Sequence, residues 1–175
     1  MKERSKKEIW SWLGSILAAV VVALICRHFI FTPVMVEGKS MMPTFESNNQ
    51  IIVSKISKIE RFDMIVFHSP ISKDNYIKRV IGLPGDRIQI KNDVLTINGK
   101  IYNEPYLKEN KSVLVPRENL TENLSIQVPA GSLYVMGDNR RDSMDSRVFG
   151  SISQKAVVGE AKFRFSPFEK MGVPK

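Results

Sequence analysis

The stretch Asn75-Tyr76-Ile77-Lys78-Arg79-Val80-Ile81-Gly82-Leu83-Pro84-Gly85-Asp86 is rich in β-branched and aromatic residues and closes on a Pro-Gly turn, so it reads as a strand over Tyr76–Leu83. Side chains alternate across a strand, which puts Tyr76, Lys78 and Val80 on one face and Ile77, Arg79 and Ile81 on the other. Working outward, similar short apolar runs recur between turn residues: Val34–Val36, Gln50–Ser54, Met64–His68, Arg87–Ile90, Val94–Ile97, Leu133–Met136 and Ala156–Phe165. Lys91-Asn92-Asp93 and Asn98-Gly99-Lys100 have the chemistry of tight turns between hairpin strands. With no amphipathic helix of a dozen residues among them, these runs predict a mainly β body built of antiparallel sheets. Residues 104–130 are more polar and rich in Asn and Glu, a predicted excursion on that body.

The other end of the chain is different in kind. Ile9–Cys26 is 18 residues without a charge, and apolar character resumes at Phe29-Ile30-Phe31. At 1.5 Å per residue that length gives roughly 27 Å, close to the ~30 Å of a bilayer's hydrocarbon. Trp10 and Trp12 suit a headgroup belt, and Lys2, Arg4, Lys6 and Lys7 precede the span, which by the positive-inside bias puts residues 1–8 in the cytoplasm. A removable leader needs a shorter apolar core and a small-x-small cleavage site, whereas this segment runs into Cys26-Arg27-His28. The reading is one N-terminal transmembrane helix within 9–31, retained in a cell membrane that the chain crosses once, with an extracytoplasmic domain over 32–175.

Composition removes several functions. The net charge is +8, with five Lys/Arg against two Glu in residues 1–31 and 21 basic against 16 acidic residues beyond them. No basic cluster is interleaved with aromatics, so the expected partner is the lipid bilayer and not nucleic acid. Cys26 is the sole cysteine and His28 and His68 the only histidines, which leaves no pattern for a disulfide, a zinc site or any other metal, and no cofactor is expected. Three Asn-x-Ser/Thr triplets, at Asn110, Asn119 and Asn123, fall in the polar excursion, where chance accounts for them.

The residues with chemistry sit elsewhere. Ser40 lies in Gly38-Lys39-Ser40-Met41-Met42-Pro43-Thr44, nine residues beyond Phe31. If Ser40 is a nucleophile, its base is a lysine: His68 ends a strand in no supporting context, and His28 lies at the membrane edge. Lys78 shares its face with an aromatic and a β-branched residue, a setting that disfavours the ammonium form. Alone in a strand, a lysine is also compatible with an exposed edge charge. Arg79 points the other way among apolar residues and requires an acidic partner. The run Gly137-Asp138-Asn139-Arg140-Arg141-Asp142-Ser143-Met144-Asp145-Ser146-Arg147 offers one, either as a solvated loop or as a buried polar network.

Taken in order, the anchor, Ser40-Met41-Met42-Pro43-Thr44, Arg61-Phe62-Asp63-Met64-Ile65-Val66-Phe67, Lys78–Asp86 and the Gly137–Arg147 run resemble the type I signal peptidases, membrane-bound Ser/Lys proteases, over nearly the whole chain. The resemblance implies Ser40 as nucleophile, Lys78 as general base, Ser143 as a hydroxyl bonded to the lysine amine, Asp145, Arg147 and Arg79 as one ion-pair network, and Gly137-Asp138-Asn139 as the run that shapes the loop beside the site. It implies that signal peptides of exported preproteins bind along Val34–Gly38, that Val34, Val36, Met41 and Tyr76 line pockets selecting Ala-x-Ala, and that the enzyme works as a monomer. Gly38 stands where some members carry a serine that helps the oxyanion, as in the compact Gram-positive members. Phe45 replaces a leucine and is expected to narrow a pocket. Two other readings share parts of this pattern: a self-cleaving repressor-type protease, which lacks the membrane span, and a silent membrane-anchored binding protein on the same scaffold.

Overall fold

The computed structural model of the chain describes residues 2–174, with side chains from residue 10 onward. Helix α1 spans Lys2–Phe29. Its segment Trp10–Phe29 has a mean hydropathy of 1.9 and none of it is covered by the rest of the protein, so it is long and apolar enough to cross a membrane. The helix ends two residues before the predicted boundary, because Phe31 already belongs to the first strand. Lys55 fastens that junction, its backbone N–H donating to Ile30 O and its Nζ to His28 O, both at 2.8 Å. The basic side chains Lys2, Arg4, Lys6 and Lys7, which carry the orientation argument, lie outside the described side chains.

Beyond the helix the chain is mainly antiparallel β, as expected. Strands β1 (Phe31–Met35), β2 (Gln50–Ser54), β3 (Met64–His68), β4 (Asn75–Gly82), β9 (Ser132–Met136), β10 (Ile152–Ser153) and β11 (Val157–Ser166) form a seven-stranded sheet in the order β1-β2-β11-β3-β4-β9-β10. Strands β5 (Arg87–Lys91), β6 (Val94–Ile97), β7 (Lys100–Tyr102) and β8 (Leu124–Gln127) form a second sheet, ordered β7-β6-β5-β8. Both predicted tight turns are present. Asn92 and Asn98 open them with φ of 50° and 52°, the left-handed geometry that matches hairpin twist.

Strand β3 is buried on both faces, so it reads as an unbroken apolar run. Its two faces belong to different cores. Met64 and Val66 join Val36, Met41, Phe45, Ile51 and Ile77, whereas Ile65 and Phe67 join Val80, Leu133 and Val135. A third core, with Ile81, Ile88, Leu95, Ile97 and Tyr134, joins the two sheets. The polar excursion is more than a surface loop: Leu107 and Leu120 are buried, and β8 returns to pair with β5. The Asp93 carboxylate fastens it by accepting from the N–H groups of Leu120 (2.7 Å) and Thr121 (2.8 Å).

Phe45 does not narrow a pocket. It is fully buried in the core beneath the serine loop. Phe45→Ala should therefore cost about 3–5 kcal/mol through lost burial and an unfilled cavity, measured as a lower unfolding midpoint of the full chain in detergent. An unchanged midpoint would contradict this packing.

Candidate active site

The chain leaves β1 and reverses at Gly38, whose φ of +85° suits a residue without Cβ. A tight turn follows, Met42 N–H donating to Lys39 O (3.1 Å), and Phe45 N–H then donates to Met41 O (2.9 Å). Met41 and Phe45 plug the core below, which presents Ser40 at the surface of the turn. Gly137 backs the serine closely. A Cβ there would collide with the carbonyl of Ser40 and the hydroxyl of Ser143, so the loop after β9 can approach only with glycine.

Lys78 comes from the middle of β4 and is 4% exposed. Its Nζ donates to Ser40 Oγ at 2.6 Å and to Ile77 O at 3.0 Å, and lies 5.2 Å from the centre of the Tyr76 ring. Burial disfavours the ammonium and pushes Lys78 down to about 8, against the pull of the Asp145 and Asp138 carboxylates. The two residues singled out for chemistry are thus in direct contact, although 38 positions apart.

The supporting residues divide differently from the expected single network. Arg79 is not joined to Asp145. It binds Asp138 in a fork, Nε to Oδ1 at 2.9 Å and Nη2 to Oδ2 at 2.7 Å, with both side chains at most 4% exposed. Its guanidinium also covers the Tyr106 ring at 4.0 Å, and Thr44 Oγ1 donates to the same carboxylate at 2.5 Å. Asp145 has its own fork with Arg147 (2.8 and 2.7 Å) and accepts from Gly137 N–H at 2.9 Å. Burial alone would raise Asp145; the Arg147 guanidinium and the Gly137 N–H outweigh it and hold the carboxyl below its ordinary range. Strand geometry explains the division: Arg79 leaves β4 on the face opposite Lys78, toward Phe62 and Met64. Ser143 also departs from expectation. Its buried hydroxyl is not bonded to the lysine; it rests against Gly137 and lies near enough to the Asp145 carboxylate to help hold it down.

A cleft of about 600 Å³ opens at Ser40 and Lys78, with Val34, Val36, Gly38, Val66, Tyr76 and Met144 in its walls. Met41, expected there, is 1% exposed and lies in the core instead, because the turn after Ser40 directs it inward. Two backbone edges border the cleft. Among the described residues β1 pairs only with β2, and β9 meets β4 only from Arg79 onward, leaving Asn75–Lys78 with β3 on one side and no strand on the other. Asn139, expected in the loop beside the site, donates from Nδ2 to Lys39 O (3.2 Å). Sequence reading missed Asn110, whose Nδ2 donates to both Met42 O (3.0 Å) and Asp138 O (2.8 Å).

The family described as signal peptidase, peptidase S26, matches residues 9–166. The chain belongs to this family. It is 45% identical to a signal peptidase I of Bacillus caldolyticus over 97% of this chain and 96% of that one. Signal peptidase IB of Staphylococcus aureus (strain COL) is 39% identical over 94% of this chain and 93% of its own. The crystal structure of a signal peptidase I from Enterococcus faecalis V583 superposes with a TM-score of 0.60 at 39% identity, covering 61% of this chain and 99% of that one. The chain is accordingly a signal peptidase of the serine-peptidase class, a hydrolase.

Within this signal peptidase the Arg79–Asp138 and Asp145–Arg147 pairs both bear on stability. Removing one partner, by Arg79→Met or Asp138→Leu, should cost about 3–5 kcal/mol by stranding a buried charge, and the double replacement should recover part of it. Chemical unfolding of the single and double variants measures this, and additive losses would contradict the pairing. The Asp145–Arg147 contribution is complete above the ordinary aspartate range near ~4 and fades as pH falls through the depressed folded value. Asp145→Asn should therefore lower stability at neutral pH more than in acid.

Proposed function

We propose that Ser40 and Lys78 form the catalytic dyad of a membrane-anchored endopeptidase that removes signal peptides from exported preproteins after Ala-x-Ala. The contact of 2.6 Å between a buried lysine amine and the serine hydroxyl carries this reading. With the amine neutral, the same separation lets the Ser40 O–H donate to the nitrogen lone pair. Ser40 Oγ then attacks the scissile carbonyl carbon, its proton passes to Lys78 Nζ, and the carbonyl π pair moves onto oxygen. The ammonium returns that proton to the leaving amine as the C–N bond breaks, leaving an acyl-enzyme. A water gives a proton to the same amine and attacks the ester carbonyl; the ammonium returns that proton to Ser40 Oγ as the ester C–O bond breaks, and the new carboxylic acid ionises to solvent.

Two free edges beside the cleft support binding of the substrate as an extended strand, held by main-chain hydrogen bonds to Val34–Gly38 and to the open side of Asn75–Lys78. Val34, Val36 and Tyr76 crowd that slot, which favours alanine-sized side chains by excluding larger ones. Helix α1, with its uncovered apolar Trp10–Phe29 segment, supports a single-pass anchor whose N-terminus is cytoplasmic. Anchoring raises the effective concentration of a substrate that ends at the same height in the bilayer. Catalysis in this reading uses no metal or organic cofactor and one copy of the chain.

Ser40→Ala and Lys78→Met should each abolish turnover of an Ala-x-Ala peptide while the full chain in detergent melts as before. The active form carries the neutral amine, so kcat/KM of the parent should rise with pH through about 8. Retained turnover in either variant, or a rising limb near a free lysine's ~10.4, would contradict the dyad.

A further inference from the structure

The oxyanion formed in that attack needs a donor, and Gly38 brings no side chain toward it. The remaining donor on the serine itself is the Ser40 N–H, which has no acceptor within the protein among the described residues. How well it serves depends on the orientation of the Lys39–Ser40 peptide plane. That plane lies next to Gly38, the least constrained residue type, and on a turn whose Lys39 side chain is exposed.

Asn139 is hydrogen-bonded to that plane. A trans peptide is flat, with its C=O and N–H pointing in opposite directions. Asn139 Nδ2 donates to Lys39 O at 3.2 Å, and Met42 N–H holds the same oxygen at 3.1 Å. Fixing that carbonyl aims the Ser40 N–H the other way. The backbone N–H of Asn139 donates in turn to Ser40 O at 3.0 Å. The two peptide planes that meet at the Ser40 Cα are therefore both tied to one residue. A carbonyl can only accept, so the amide nitrogen of Asn139 must be the atom facing Lys39.

Asn139 is itself held. Asp142 N–H donates to Asn139 O at 3.1 Å, and Asn110 Nδ2 ties the preceding Asp138 carbonyl to the Met42 carbonyl of the serine turn. The side chain of Asp138 is locked by Arg79. A chain of hydrogen bonds thus runs from the buried ion pair to the peptide carrying the donor.

We infer that Asn139 is a positioning residue for the oxyanion donor, orienting the Ser40 N–H through Lys39 O and doing by preorganisation part of what a side-chain donor at position 38 would do directly. The inference rests on the Ser40–Lys78 reading. Removing an oxyanion donor outright costs about 10²–10³ in kcat; Asn139 shares its carbonyl with Met42 N–H, so its loss should cost about tenfold to a hundredfold.

The test uses the full chain in detergent, with Asn139→Ala and the similarly shaped Asn139→Leu, which keeps packing but cannot donate. Both should lose kcat by that factor, keep KM within about twofold, and leave the melting temperature and the rising limb of the pH profile in place. Affinity for a peptide aldehyde, whose serine adduct carries the same oxyanion, should fall in parallel with kcat. Turnover of Asn139→Leu within about twofold of the parent would overturn the inference. A loss accompanied by a displaced pH limb, a higher KM or a lower melting temperature would overturn it too, in favour of a structural role or one exerted through Lys78. Ser40→Ala is measured alongside: if it retained turnover the dyad itself would fall, whereas a dead Ser40→Ala with an unimpaired Asn139→Leu removes only the role of Asn139.

Discussion

Lys78 Nζ touching Ser40 Oγ at 2.6 Å is the contact around which the domain is arranged. Ser40 follows β1, and Lys78 lies on β4, four positions away in the sheet order β1-β2-β11-β3-β4. In a flat sheet those strands would stand roughly 19 Å apart, at ~4.8 Å per step. The sheet must therefore curl until its edge strand faces its fifth. The cleft is the space enclosed by that curl, and its two bare edges follow from the same arrangement.

The chemistry of the contact depends on keeping an amine dry without stranding it. Tyr76 and Val80 share the Lys78 face and belong to one apolar core, which supplies the desolvation that lowers its basicity. The nearby Asp138 and Asp145 work against this, since a carboxylate favours an ammonium. Each of them is bound by its own arginine, Asp138 by Arg79 and Asp145 by Arg147. Those guanidinium groups offset the carboxylates at short range, so each carboxylate near the lysine amine already has its own cationic partner. The same pairs hold the Gly137–Asn139 loop that backs the serine, which links stability of the site to its electrostatics.

Much of this was legible in the sequence. The limits of β2, β3 and β6 coincide with their apolar runs, because alternating or continuous burial leaves a period that turn residues then cut. β7 and β8 were not: one is three residues long, the other half-exposed within a polar segment, and neither leaves enough pattern to register. Ser40, Lys78 and the need of Arg79 for a carboxylate follow from residue type and strand phase. Which carboxylate does not, since Asp138 and Asp145 lie in one loop and only the path of that loop distinguishes them. Residue type alone does not distinguish the cleft from the core for Met41 and Phe45. The direction of their side chains is set by the turn through Met42 N–H to Lys39 O and Phe45 N–H to Met41 O, which the residue types there do not specify. Asn139 is marked only by the resemblance of its Gly-Asp-Asn run, and Asn110 not at all, because both act on backbone carbonyls and such contacts leave no trace in residue spacing.

The most direct measurement is an NMR titration of the Lys78 side chain, labelled at Cε and Nζ, in the full chain held in detergent micelles. The account predicts a midpoint near 8, well below that of a solvent-exposed lysine, and a return toward the ordinary value when Tyr76 is replaced by a small polar residue. A midpoint near ~10.4 in the intact protein would mean that the amine stays an ammonium at neutral pH, and the central claim would be wrong.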